Sequence, residues 1–236
     1  MDDREFWAKI RGLSIPALAI LLALCALTGC SAGEGFSSIH LGSVGSSAKG
    51  ETDLLILVNP WNAMPGDYEV ELASLSDGTQ VASCCLEDLR RLLTDCREAG
   101  NEPYICSAYR TWDYQSMLFE NKVARLMAEG MDEITARAEA ATVVALPGTS
   151  EHQLGLALDI IDSGYTQLDE GQKDTPTQRW LMENSWRYGF ILRYPEGKSD
   201  ITGIIYEPWH YRYVGVENAK EIYQSGLCLE EWLEEQ

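Results

Sequence analysis

Ser150-Glu151-His152-Gln153-Leu154-Gly155-Leu156-Ala157-Leu158-Asp159 is the stretch on which the fold turns, and Glu207-Pro208-Trp209-His210 is its counterpart further along the chain. Together they hold two of the chain's three histidines, each with a carboxylate at short range. Residues 155–161 are small or apolar and read as a buried strand. An aspartate inside Leu158-Asp159-Ile160-Ile161 is therefore a charge that burial penalises unless it is paired or bound to metal. His152 taken alone reads as a satisfied core histidine. With Asp159 seven residues on and His210 downstream, the three become a candidate zinc ligand set that leaves one position open for water. Glu207, three residues before His210 and displaced by the bend at Pro208, is the candidate base acting on that water.

Upstream, Pro103 to Ser107 reads as a strand that runs through Ala108-Tyr109-Arg110-Thr111 into a helix over 112–127. A strand that delivers an arginine to a strand-helix junction fixes a cation at a sheet end. There Arg110 can receive a carboxylate or steady an oxyanion, although on this segment alone a structural salt bridge is the plainer reading. Gln115 falls in the first turns of that helix, near the same junction. A second helix is expected over 132–146, halted by Pro147-Gly148. Apolar spacing over 86–99 gives a helix stopped by Gly100, and the apolar run 54–58 reads as a buried strand. Downstream, Thr175-Pro176 opens a helix that lasts to Gly189, and 190–194 with 203–206 read as a hairpin. The segment 211–214 continues extended, and a helical region from Val216 is interrupted near Gly226. The expected class is α+β, a small antiparallel sheet carrying the metal ligands with helices packed on one side.

The whole chain has 236 residues, 45% of them hydrophobic, enough for one domain with a real core. Its net charge of −19 argues against a nucleic-acid partner, which needs clustered Lys and Arg. Residues 1–30 read as a processing segment: Arg4, Lys9 and Arg11 precede an apolar run over 13–27, short for a membrane span of about 20 residues. The run ends in Leu27-Thr28-Gly29-Cys30, which resembles the lipobox of bacterial lipoproteins. That resemblance implies that Cys30 carries lipid, that the preceding residues are removed, and that the protein is anchored to the outer face of a bacterial cell membrane. Residues 31–50 are mostly Gly and Ser and read as a tether, with His40 a solvated residue within it. The folded domain is then 51–236. Cys84, Cys85, Cys96, Cys106 and Cys228 remain in it, an odd set with no zinc-finger spacing. Export permits disulfides and leaves their pairing open, while Cys96 and Cys106 are expected in the core.

Ser150-x-His152-x-x-Gly155-x-Ala157-x-Asp159 followed by Glu207-x-Trp209-His210 resembles the motif pair of the VanY-like D-alanyl-D-alanine carboxypeptidases, zinc peptidases of bacterial cell-wall metabolism. The resemblance runs from about Leu54 to Val214. It includes Ser107-x-Tyr109-Arg110 with Gln115, Phe190-x-Leu192-Arg193-Tyr194-Pro195 and Ile201-Thr202-Gly203. It implies that His152, Asp159 and His210 bind zinc and that Glu207 is the catalytic base. Arg110 would stabilise intermediate and substrate, Ser150 and Gln115 would line the pocket for the terminal D-alanine, and Ser107 would make a substrate or supporting contact. The partners implied are peptidoglycan stem peptides, handled by a monomer. Readings left open are an L,D-carboxypeptidase acting on tetrapeptide stems, a D-Ala-D-Ala dipeptidase, a non-catalytic wall-binding lipoprotein and a structural zinc protein.

Overall fold

The computed structural model describes residues 52–236. The proposed signal segment, Cys30, the Gly/Ser tether and His40 lie outside the described residues. A short ribbon, β1 (Leu72–Ser74) with β2 (Gln80–Ala82), precedes helix α1 (Leu86–Glu98). The main sheet is built from β3 (Pro103–Ser107), β4 (Ala157–Asp162), β5 (Phe190–Leu192) and β6 (His210–Tyr213), in the order β3-β4-β6-β5 with every neighbour antiparallel. Between β3 and β4 lie α2 (Trp112–Ala128) and α3 (Glu133–Ala141). The remaining helices are α4 (Pro176–Asn184), α5 (Ser199–Thr202), α6 (Val216–Ser225) and α7 (Leu229–Glu234). No described helix is long and apolar enough to cross a membrane.

The helices begin where the side chains cap them. Thr111, Asp132 and Thr175 each accept a backbone N–H from the first turn of α2, α3 and α4, and Pro176 supplies the preset φ at the start of α4. The apolar row of α1, Leu89, Leu92, Leu93 and Cys96, packs with Leu156, Leu158 and Ile160 around β4. Phe190 joins that cluster while its neighbour Ile191 joins a second one with Val214, Ile222, Leu229 and Trp232. Strand alternation thus sends consecutive residues of β5 to opposite faces. Helices therefore cover both faces at this edge, α1 on one and α6 with α7 on the other, where cover on one side was expected.

Four expectations are corrected. Residues 54–58 are not a strand, because the Leu54 and Ile56 carbonyls accept hydrogen bonds from the Arg212 guanidinium, 3.0 Å each. The partner of β5 is β6, not 203–206: Gly203 sits at φ 76° with Pro60 packed so close that a Cβ would lie 2.7 Å from it. The α3 helix ends at Ala141, so that residues 143–145 leave it, and Ala145 offers its carbonyl to Gln115 Nε2. Cys106 is exposed, because β3 carries one extra residue between Ile105 and Ser107 and Cys106 is that bulged residue. The five described cysteines are all free thiols.

Beneath the sheet lies a group of buried charges. The Glu151 carboxylate accepts from Arg193 Nε at 2.7 Å and pairs with Arg212 Nη1 at 2.8 Å, and all three side chains are fully buried. Arg193 also grips Glu230 bidentately at 2.8 and 2.6 Å, and Glu230 in turn accepts from Asn59 at 3.0 Å. Burial raises the Glu151 pKa, but the two guanidiniums overcome that and hold it well below the ordinary carboxylate range. Removing one member of such a group strands the others without compensation. Glu151→Ala is thus expected to destabilise the domain by about 3–5 kcal/mol, read as a lower urea midpoint. Removing Glu231 from its outer pair with Lys198 is expected to shift that midpoint far less; equal shifts would refute the ranking.

Candidate active site

Sheet register assembles the site. Asp159 in β4 faces Ser107 of β3 on one side and His210 of β6 on the other, so three site residues lie side by side across the sheet. The bulge at Cys106 produces this alignment, since without it Cys106 rather than Ser107 would oppose Asp159. His152 comes from the 3-10 turn Glu151–Leu154, which precedes β4 and ends on Gly155. Gly155 has φ 71°, and a Cβ there would lie 2.9 Å from the Ala82 backbone nitrogen. Only glycine lets the turn close against the ribbon and leave His152 beside Asp159.

The tautomer of His152 is set from outside the site. His152 Nδ1 lies 2.8 Å from the Ala108 carbonyl, which can only accept, so Nδ1 carries the proton and Nε2 turns a lone pair toward Asp159 Oδ2 at 3.2 Å. His210 points Nε2 at Glu151 Oε2, 3.6 Å away, and Nδ1 at Asp159 Oδ1, 3.2 Å away. Glu151 is therefore the carboxylate behind His210, although in sequence it adjoins His152. Asp159 Oδ1 is buried without a hydrogen-bond partner, while Oδ2 accepts from Arg110 Nη2 at 2.6 Å.

Arg110 is held on three sides. Its Nε donates to Ser107 Oγ at 2.8 Å, Nη1 to Gln115 Oε1 at 3.2 Å and Nη2 to Asp159. Ser107 and Gln115 thus act on the arginine. Gln115, expected to line the substrate pocket, is fully buried and donates to the Ala145 carbonyl. Ser150, His152, Asp159, Glu207, Trp209 and His210 all line one cavity, together with Arg110. The buried Glu207 carboxylate forms no hydrogen bond within the described residues, and its Oε2 lies 3.7 Å from His210 Nδ1.

The donor set fits zinc. His152, Asp159 and His210 offer ligand atoms that all lie within 4.8 Å of one another. The two nearest separations are 3.2 Å, close to the spacing of about 3.3 Å between N and O atoms in a tetrahedral zinc site with bonds near 2.0–2.1 Å. Two imidazoles and a carboxylate match zinc's preference, and the orphaned Asp159 Oδ1 is a lone pair awaiting a cation. In the ion-free site, burial pushes His152 down to about 4, Arg110 acting in the same direction and Asp159 opposing it. Burial also opposes charge on His210, but the Asp159 and Glu151 carboxylates beside it prevail and lift it to about 9. Burial raises Glu207 to about 8, with Asp159 adding to it against His210 and Arg110.

Residues that sequence reasoning left without a role are Glu151, Arg193, Arg212 and Glu230. The signal was present: Arg193 and Arg212 sit inside apolar segments, where a charge needs a buried partner.

Comparison with known proteins gives a consistent picture. The family model described as VanY: D-alanyl-D-alanine carboxypeptidase matches residues 78–216. A D-alanyl-D-alanine carboxypeptidase of Enterococcus faecalis is 49% identical over 179 residues, which are 76% of this chain and 65% of that protein. The chain thus spans about two thirds of that relative's length. The structure of VanYB in complex with D-alanine-D-alanine aligns at 48% identity and TM-score 0.71, covering 77% of this chain and 97% of that one. A mutant vancomycin-resistance D,D-pentapeptidase VanY, in complex with Zn(II), aligns at 48% identity and TM-score 0.70 over 76% and 98% of the two chains.

The protonation states of the site set how zinc binds. At pH 7 His152 is neutral, whereas His210 and Glu207 carry protons that the ion displaces, the first by ligation and the second by its charge. Calorimetric titration with zinc in buffers of different ionisation enthalpy is expected to show about two protons released per ion, and about one for Glu207→Gln. A buffer-independent enthalpy would contradict these states.

Proposed function

The chain belongs to the VanY family of D-alanyl-D-alanine carboxypeptidases, and on that basis we propose that it is a zinc-dependent D,D-carboxypeptidase removing the terminal D-alanine from peptidoglycan stem peptides. The observation that carries the reading is a free, buried carboxylate, Glu207, in the same cavity as three converging ligand residues. The complex of VanYB with D-alanine-D-alanine supports the same substrate class.

In this reading His152, Asp159 and His210 hold the ion. Zinc held there would supply Lewis acidity, making water a stronger nucleophile near neutral pH and the peptide carbonyl a better electrophile. Glu207 takes the proton of the attacking water and returns it to the departing amine nitrogen, as a carboxylate without another donor is free to do. Arg110 presents its remaining N–H groups to the developing oxyanion or to the substrate carboxylate. Ser107 and Gln115 keep that guanidinium in place, and Ser150 offers its hydroxyl to the terminal residue.

Residues 1–30 act as a lipoprotein signal segment, Cys30 as the lipid attachment point and 31–50 as the tether of a monomeric domain over 51–236. The apolar run over 13–27 ahead of Cys30 and the Gly/Ser composition support this.

Glu207→Ala is expected to retain zinc and lose about 10²–10⁴-fold or more in turnover, whereas His210→Ala loses zinc and turnover together. Full release of D-alanine by the Glu207→Ala protein would remove Glu207 as the base. Given pentapeptide and tetrapeptide stems with and without chelator, the protein should release D-alanine from the pentapeptide alone and only without chelator, as read by mass spectrometry. Preferential cleavage of the tetrapeptide would favour the L,D reading, and release of intact D-Ala-D-Ala the dipeptidase one. Cys30→Ser is expected to abolish incorporation of labelled fatty acid and shift the protein out of the membrane fraction; unchanged labelling would sink the anchor.

A further inference from the structure

The cavity continues well past the reacting atoms. It holds about 910 Å³, at the upper end of the range for a site that takes a drug-sized ligand. A carboxypeptidase releases one residue on the leaving side, so the added length belongs to the acyl side of the peptide. One wall of this extension is a single face of α2, with Leu118, Lys122 and Arg125 at the three- and four-residue spacing that aligns side chains along a helix. Gln115, which holds Arg110, begins the same row. At 1.5 Å rise per residue, Lys122 and Arg125 lie roughly 10 and 15 Å beyond Gln115 along the helix. An extended peptide covers that distance in about three to four residues.

The chain has 18 Lys and Arg against 37 Asp and Glu, and Arg90, Arg91, Arg137, Arg193 and Arg212 are all engaged in ion pairs. Lys122 and Arg125 form none among the described residues, even though Glu129 stands one turn beyond Arg125. Among the described residues Arg97, Arg187 and Lys220 are also without an ion pair but do not line the cavity, and of the three cations that do line it Arg110 is paired with Asp159, which leaves Lys122 and Arg125. A merely solvated helix face would have no reason to turn its two unpaired cations into the wall of the catalytic cavity. We propose that Lys122 and Arg125 form a subsite for a free carboxylate carried by the acyl part of the peptide, about three to four residues before the cut. This rests on the carboxypeptidase reading and deepens it by naming a charged feature of the substrate.

The test uses two peptides ending in D-Ala-D-Ala that differ only in whether a residue three or four positions before the cut bears a carboxylate or its carboxamide. Wild-type protein should favour the carboxylate peptide by about tenfold in kcat/KM, mostly through KM, and the preference should shrink in high salt. In the double variant Lys122→Met with Arg125→Gln, which removes both charges and retains most of each side chain's stem, the two peptides should converge. The carboxamide peptide serves as the internal control for folding. Equal handling by the wild type, or a preference that survives the double variant, would overturn the subsite and leave the activity standing. Fluorescence anisotropy of the same labelled peptides on the zinc-loaded protein separates the two ideas. Carboxylate-selective binding without cleavage of either peptide would overturn the activity and keep the subsite.

Discussion

Glu151 sits between two fully buried guanidiniums, and much of the molecule is tied to that one carboxylate. Arg212 projects from β6 and reaches back to the Leu54 and Ile56 carbonyls, so it fastens the first described segment to the sheet. Arg193, just past β5, carries the charge on to Glu230 in α7 and through it to Asn59. Segments from the start, middle and end of the described chain therefore meet at one electrostatic knot. Desolvating these charges is tolerable only when all partners are in place, which penalises every arrangement that separates them. The same carboxylate turns its second oxygen to His210 Nε2. A stability element thus stands 3.6 Å behind a candidate metal ligand.

The sheet contributes a second constraint, namely register. Asp159 pairs with His210 and with Ser107 because β4 is central among the three strands and β3 carries a bulge. The core-facing neighbours Leu158 and Ile160 lock that register, since a slip by one residue would drive Asp159 into the apolar cluster and Leu158 into the cavity. Arg110 then closes the assembly from beyond the end of β3, bonding Ser107 and Asp159 at once. Ser107 and Gln115 shape the site through this guanidinium.

Legibility in the sequence followed the physics of single residues better than that of long-range partners. Asp159 was readable because a lone charge in an apolar strand demands an explanation, and the structure brings His152 and His210 beside it. The same argument applied to Arg193 and Arg212, yet their partners Glu151 and Glu230 lie in a turn and a terminal helix that no periodicity connects to them. That hidden link also explains why residues 54–58, apolar enough for a strand, form none: a side chain far along the chain takes their carbonyls. The mistaken hairpin has a similar origin. Residues 203–206 have strand-like composition, but Gly203 is committed to a left-handed turn against Pro60, and β6 is the strand that pairs with β5.

Glu207 breaks the rule that the rest of the site obeys. Among the described residues four carboxylates are buried, and Glu151, Asp159 and Glu230 each accept from arginine, while Glu207 accepts from nothing. A buried acceptor without a donor is destabilising, and burial answers by lifting its pKa to about 8. Arg110 lies close enough to favour the anion but forms its hydrogen bonds to Ser107, Gln115 and Asp159 and none to Glu207. A cation in the three-residue ligand set would be the nearest compensation, because its charge favours the Glu207 anion. The two glutamates on either side of His210 thus differ: Glu151 is held through Oε1 by two arginines, and Glu207 has no donor, the state that the proposed base requires.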